Sequence, residues 1–466
     1  MTKLIQLPNK IRCQQIEFST PHEQAEQYWN YFLTTELGRI YQIIPWASLC
    51  NHFRPKRQES RGKKPEFELQ GKIALQFLKS YSGVSDEELM ERLSSDYVYQ
   101  FFCGVYYRPG DKIPGFKIIS DIRCELAWRL KIGDLQKILA DSWKPYMKDT
   151  HVELTDATCY ESYIRYPTDV KLLWESIEWT YGQMKRLNKF IKGRMPRSKY
   201  AEIKDRCLGY QKSKKKTWKA TQKLIGSLLY LLHKLNEQLD EMEVKAIATG
   251  KILFTKQYKD RRRTIKQVYI QQRKLHETGE RSKGMIVSID KSFLRPIVRG
   301  KEIKRVEFGA KVNMIQVDGI NFIEHFSFDA FNEGTRLISS IYLHRKLFGK
   351  CTHIGADKIY ATNKNRKYCT KNNIVTSFIP KGRVEQQYQS DTKKMKSLLS
   401  KERATRMEGS FGTEKNHYTL SKVKARTEPT EKLWIFFGIH TANAVRIAGR
   451  KALKSANDAQ TRVQAA

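Results

Sequence analysis

Two stretches of strand-like sequence are held apart by a long basic helical region, and that separation limits the folds open to this chain. HVELTDATCY alternates apolar and polar residues from His151, the period of a strand, and is read as ending at Asp156. Strand character resumes only with KGMIVSID, after Lys283. Between Thr168 and Lys283 the pattern is helical. Leu173, Ile177, Met184, Leu187 and Ile191 mark one face of a first helix, with Thr168 as its cap. Ile225, Leu228, Leu232, Leu235, Leu239 and Met242 recur by threes and fours in a second, and a third is predicted from Lys256 to His276. That stripe fits the seam of an antiparallel helical insertion better than a dimer zipper. Any sheet built on the first strand must therefore be completed by segments far along the chain.

After the insertion the elements alternate. VEFGAKVNMIQVDG and INFIEHFSFDA are joined at Asp318-Gly319, a hairpin turn signal. A helix over Glu333–Leu347 precedes CTHIGADKIY, a short strand ending at Asp357. A helix over Asn363–Lys371, a strand in NIVTSFIP, a helix from Arg403 to Leu420 and the apolar helix LWIFFGIHTANAVRIAGRK complete the series. This order predicts an α/β fold, a mixed sheet with helices on both faces. Before His151 the chain reads as helical. Leu69, Ile73, Phe77 and Leu78 lie near one face of a helix that Gly83 breaks, and Ser85 with Glu88 makes a capping box for the next. This helix-turn-helix spacing also occurs in ordinary helical hairpins. Further helices are predicted over 120–131 and 134–146.

Charge narrows the partners. Lys and Arg number 86 against 49 acids, a net charge of +37. A polyanion is the natural partner, and nucleic acid the commonest. Lys212, Lys214, Lys215 and Lys216, then Arg261, Arg262 and Arg263, are interleaved with Tyr210, Trp218, Tyr258 and Tyr269, a mixture suited either to phosphate contact or to a solvated face. No apolar run approaches the roughly 20 residues of a membrane span, and MTKLIQLPNKIRCQQ lacks the apolar core of a signal peptide. A cytoplasmic protein with no membrane partner is expected. None of the eight cysteines forms a CxxC pair, so buried reduced thiols are expected rather than disulfides or zinc.

Three acids carry the candidate chemistry. Asp156 and Asp357 each sit where a strand is predicted to end, the edge at which α/β sheets keep their sites. Glu408 lies on a helix among bases and aromatics, with Lys415 two turns along on nearly the same face. Taken alone, Asp156 reads equally as a turn residue and Glu408 as part of a surface helix. Meeting at one edge, three carboxylates would repel unless a hard cation such as Mg²⁺ sat among them. Two such ions roughly 3.5–4 Å apart suit phosphodiester chemistry. Asp329, Asn332 and Glu333 are expected to cap the following helix. Arg295, Arg299 and Lys301 in RPIVRGK either grip DNA or shape a turn. His325, His353 and His417 are expected to be structural.

The passages TDATCYESYIRYPTDVKLLWE, RPIVRGKEIKRVEFGAKV, DAFNEG, GADKIYATNKNR and RMEGSFGTEKNHYTL together resemble the DDE transposases of bacterial insertion sequences, over residues from about 65 to 450. The resemblance implies an RNase-H-like catalytic core. It implies that Asp156, Asp357 and Glu408 are the catalytic, metal-binding acids, and that Lys415 contacts phosphate. It also implies Mg²⁺ as cofactor, two ions with Mn²⁺ as a substitute, and no small-molecule cofactor. Relatives often carry a tyrosine and an arginine seven and four positions before the glutamate, where this chain has Lys401 and Ala404. Arg403 and Arg406 are the candidate substitutes, and Arg366 joins the candidate DNA contacts. The gap between Asp357 and Glu408 is 408 − 357 = 51 residues, too short for the β insertion of some relatives. The long gap, 357 − 156 = 201 residues, lies between the aspartates.

The expected domains are a helical DNA-binding domain over 1–147, an RNase-H-like core over 148–167 and 284–455, a basic helical insertion over 168–283, and a disordered tail over 456–466. The expected function is binding of terminal inverted repeats, metal-dependent cleavage and strand transfer into target DNA, with self-association on DNA. A non-catalytic DNA-binding protein derived from a transposase is the alternative, and an RNA-processing nuclease of the same fold a third reading.

Overall fold

The structure, a computed structural model, describes residues 21–55, 65–107, 110–250, 254–298, 306–381 and 386–465. It divides into two compact units, one formed by the described parts of 1–122, 138–146 and 443–466, the other by those of 123–137 and 147–442.

Among the described residues, eight α-helices precede the first strand: α1 (Pro21–Thr34), α2 (Glu36–Tyr41), α3 (Trp46–Phe53), α4 (Leu69–Ser82), α5 (Asp86–Ser95), α6 (Tyr97–Cys103), α7 (Lys117–Ala127) and α8 (Ile132–Trp143). The first unit is built on aromatic contacts among Trp29, Phe32, Tyr41, Trp46, Phe101 and Phe102. Trp143 is buried there and its indole N–H donates to the Ile43 carbonyl at 2.9 Å. Gly71 permits the close approach of α4 to α6, since a Cβ there would stand 2.4 Å from the Cys103 carbonyl oxygen. Gly83 ends α4 in the left-handed conformation, and Ser85 caps α5 by accepting the Glu88 N–H at 3.0 Å. The Glu88 carboxylate accepts from Arg92 at 2.7 Å instead of closing the box.

The second unit contains a six-stranded sheet. Its elements are β1 (Val152–Glu161), α9 (Asp169–Ile191), α10 (Tyr200–Lys212), α11 (Trp218–Ala248), α12 (Lys256–Thr278), β2 (Pro296–Val298), β3 (Val306–Val317), β4 (Ile320–Ser327), α13 (Leu337–Phe348), β5 (His353–Ala356), α14 (Asn363–Lys371), β6 (Val375–Thr376), α15 (Gln386–Glu402), α16 (Glu408–His417) and α17 (Glu428–Ala465). The last of these supplies residues to both units. In the sheet, β1 pairs antiparallel with β3 and parallel with β5, β3 pairs antiparallel with β2 and β4, and β5 runs parallel to β6. The β3–β4 turn is made by Asp318 and Gly319, both at positive φ, as an Asp-Gly hairpin requires.

The insertion α9–α12 has its own core. Leu228, Leu232, Leu235 and Leu239 of the predicted stripe are fully buried, within the chain, in a cluster shared with Leu173, Ile177 and Met184 of α9. Arg262 is buried as well, held by Asn236, Asp240 and Glu243, so the triplet of arginines is not simply a solvated face.

Several expectations are corrected. β1 does not stop at Asp156 but runs on to Glu161, because Ala157 to Tyr160 are buried and continue the pairing with β3. KGMIVSID is not a strand. The Gln271 side chain satisfies both backbone groups of Ile286, accepting its N–H at 3.0 Å and donating to its carbonyl at 2.8 Å, in place of a neighbouring strand. In NIVTSFIP only Val375–Thr376 pairs as a strand, after which the Ser377 hydroxyl bonds both backbone groups of Ala356. Helix α10 leaves little mark in the sequence, its buried apolar face reduced to Ile203 and Cys207. Among the described residues no helix is long and apolar enough to cross a membrane.

Candidate active site

Asp156 occupies the position on β1 where one neighbour gives out. The last registered pair with β5 is Thr155 with Ala356, so Asp156 and Asp357 each lie one residue beyond it on adjacent parallel strands. Neighbouring strands stand about 5 Å apart, which brings the two acids to one edge. On its other side Asp156 remains paired opposite Met314 of β3. The strand is thus fixed under Asp156 while the sheet opens beside it.

The third acid arrives from the helix. Arg403–Met407 form a π-helical turn between α15 and α16, in which the Glu408 N–H donates to the Arg403 carbonyl five residues back. Such a turn stacks residues five apart, which an ordinary α-helix would splay by well over a right angle. Arg403 and Glu408 therefore share a face. The Arg403 guanidinium donates to Asp156 Oδ2 at 2.6 Å and lies 3.4 Å from Glu408 Oε1 through the same nitrogen. One cationic group stands between two of the three predicted acids.

The electrostatics follow from this crowding. Burial pushes the Asp156 carboxyl up to about 6 from an ordinary value near 4; the Arg403 charge opposes that rise, and the charges of Glu333 and Asp357 add to it. Asp156 Oδ1 also accepts the Ala157 N–H at 2.8 Å. Asp357 is exposed and its carboxylate accepts the Lys358 N–H at 2.7 Å. Glu408 keeps its side chain 58% exposed, the most accessible of the acids that Arg403 holds.

Helix α16 is held on the sheet by polar side chains inside apolar strands. Tyr160 donates to the Glu414 carboxylate, and Asn321 donates to its other oxygen at 2.6 Å. Gln316 donates to Ser410 at 2.9 Å and to Asn321 at 2.8 Å. All are buried. Lys415 reaches the same face of β1, its ammonium 2.9 Å from Thr158 Oγ1, two residues along the strand from Asp156. Glu414, Gln316 and Asn321 were not singled out in the sequence. The available signal was Gln316 and Asn321 in VNMIQVDGIN, polar groups at positions that strand alternation should fill with apolar ones.

The remaining predicted residues are dispersed. Arg406 pairs with Glu402 at 2.5 Å and lines a cavity of about 340 Å³ beside Val152 and Leu154, toward the start of β1. Arg295 donates to the Ser292 and Leu294 carbonyls, which places its guanidinium on its own turn. Arg366 donates to the Ala361 and Ile379 carbonyls. Arg299 and Lys301 lie outside the described residues. Asn332 caps the short 3₁₀ turn after β4, Asp329 accepts the Ala330 N–H, and Glu333 pairs with Lys311 at 2.6 Å.

Comparison with known families finds two matches. A model of a transposase DDE domain matches residues 354–439, a span that holds Asp357, Arg403, Glu408 and Lys415. A model of a transposase domain, DUF772, matches residues 28–125. These two domains indicate a transposase. Together the two matched domains support a DDE transposase of an insertion sequence. Asp156 lies outside both matched spans. No curated protein and no solved structure matches the chain.

Proposed function

We propose that this transposase is a metal-dependent enzyme that cuts the ends of its own mobile element and joins them to target DNA through Asp156, Asp357 and Glu408. The observation that carries the reading is Arg403 lying between Asp156 and Glu408, with Asp357 one residue past the register that ends beside Asp156. A cation already stands where acids from three distant segments converge. The RNase-H-like assignment is part of the same proposal. An antiparallel set β4–β3–β1 continued by parallel β5 and β6 supports it.

The donor set fits Mg²⁺. Carboxylate oxygens are the ligands that hard ions prefer, and Asp156, raised chiefly by burial, also feels the charges of Glu333 and Asp357. Asp156, Asp357 and Glu408 would hold two ions, with Mn²⁺ as a substitute. Bound there, such ions would supply the activation of a water and the stabilisation of a leaving phosphodiester oxygen. The chain's own groups do the rest. Asp156 is deprotonated above about pH 6 and so is charged at neutral pH. Arg403 takes the place of the relatives' arginine, the extra residue absorbed by the π turn, and is released to a DNA phosphate when the carboxylates gain another cation. Lys415 supplies a second phosphate contact from the same face.

The domain assignment extends this reading. Residues 1–147 and the basic insertion, 168–283, bind the terminal repeats; 148–167 with 284–455 carries the chemistry; two chains meet on paired ends. A cytoplasmic location follows for an enzyme acting on its own element. The test is cleavage of duplex carrying the element's inverted ends. Wild type nicks it with Mg²⁺ or Mn²⁺, while Asp156→Asn and Glu408→Gln bind it equally and leave it intact. Normal cleavage by either variant would end the proposal. Binding by the wild type with no nicking in either metal would favour the non-catalytic alternative.

A further inference from the structure

A second cluster of metal-binding side chains lies on the opposite face of β1. Glu153 is three residues before Asp156, so the two side chains leave the strand on opposite sides. Thr155, two residues along from Glu153, meets Ser340 of α13, which places α13 over that face. Glu153 and His344 of α13 are wholly buried, and Cys351, in the turn before β5, is 2% exposed. His344 Nδ1 lies 3.4 Å and Cys351 Sγ 4.0 Å from Glu153 Oε2, and the three donors fall within 4.8 Å of one another.

This arrangement is poorly satisfied as it stands. Glu153 Oε1 and both ring nitrogens of His344 are buried without a hydrogen bond. Such orphans are rare in folded proteins and call for an explanation. Donors at 2.0–2.3 Å around a tetrahedral ion stand about 3.3–3.8 Å apart, close to the separations found here. A further thiol lies in the same region, outside that group of three. Cys369 of α14 is buried in the same apolar cluster as Cys351, and its thiol feels the charge of Glu153. A simple Glu–His hydrogen bond would leave the second imidazole nitrogen and the second carboxylate oxygen without partners.

We propose that Glu153, His344 and Cys351, with Cys369, form a closed structural site for a thiophilic divalent cation, zinc by preference, separate from the carboxylates on the other face. Sulfur and imidazole select such an ion over Mg²⁺. The ion joins β1, α13, the β5 turn and α14, and so fixes the strand that carries Asp156. No CxxC pair announces it, because the four donors come from four separate elements.

The test uses full-length protein purified without a histidine tag and dialysed against chelator. Elemental analysis is expected to find one zinc per chain, released only on unfolding. Protein refolded with Co²⁺ is expected to show thiolate-to-cobalt charge-transfer absorption, and Cys351→Ser to lose both the band and the zinc. Should Cys351→Ser fail to fold, the wild-type cobalt spectrum and the His344→Gln variant carry the same test. Wild-type protein with less than a tenth of an equivalent of metal and no cobalt band would overturn the proposal. So would zinc retained in full by folded Cys351→Ser. Neither readout depends on DNA cleavage.

Discussion

Replacing Asp156 with asparagine should make the metal-free protein more stable at neutral pH while removing its activity. The magnitude follows from the site. The carboxyl is pushed from an ordinary value near 3.8 up to about 6. At about 1.4 kcal/mol per unit, keeping it ionised in the fold costs about 3 kcal/mol. Because the folded-state value is raised, the favourable contribution is complete below about pH 4 and is lost as pH rises through about 6. Asparagine resembles the protonated acid and avoids that loss, although it gives up the charge paired with Arg403. A gain of about 2 kcal/mol is expected at pH 7.5, shrinking toward zero near pH 4. Urea unfolding of both proteins in chelator, followed by tryptophan fluorescence across that pH range, measures it. Adding Mg²⁺ should narrow the gap by stabilising the wild type alone. A variant no more stable than wild type at pH 7.5, or a gap that ignores pH, would refute the electrostatic account.

Three further outcomes are expected. Mg²⁺ or Mn²⁺ affinity, measured by calorimetry, should weaken below pH 6 as protons compete for Asp156, by roughly tenfold per unit for one proton, and a flat profile would remove Asp156 from the ligand set. Arg403→Ala should cut strand transfer on the order of 100-fold, as loss of a positioned charge does, with Arg406→Ala nearly silent; the reverse ranking would show that the π turn does not select the arginine. Glu431→Ala strands Lys291, which pairs with it at 3.1 Å in a site where neither side chain is more than 6% exposed, and should cost about 3–5 kcal/mol in urea unfolding, whereas a loss below about 1 kcal/mol would mean that water reaches the pair.

Much of the fold could be read from periodicity, since Leu228 to Leu239 and the Asp318-Gly319 turn are dictated by neighbours in sequence. The failures are long-range. KGMIVSID has strand composition, yet its hydrogen bonds go to Gln271, which no local pattern anticipates. Asp156 reads as a strand end because the apolar alternation falters there, but pairing with β3 carries the strand onward. Spacing also leaves Arg403 and Arg406 equivalent. Only an additional residue in one helical turn separates them, and nothing in RATRM forces a π turn. The Glu153, His344 and Cys351 cluster is likewise invisible in one dimension.

The order in which this sheet is assembled has a consequence for the cell. Leu154 cannot find Gln316, nor Val152 find His353, until the ribosome has delivered the whole intervening insertion. That insertion has its own core and is complete long before the strand it interrupts has a partner. Arg403 and Glu408 emerge later still. A translation product that stops before them therefore holds Asp156 with neither its counter-charge nor its fellow acid, and on the proposed chemistry it would be inert however well the earlier helices have folded.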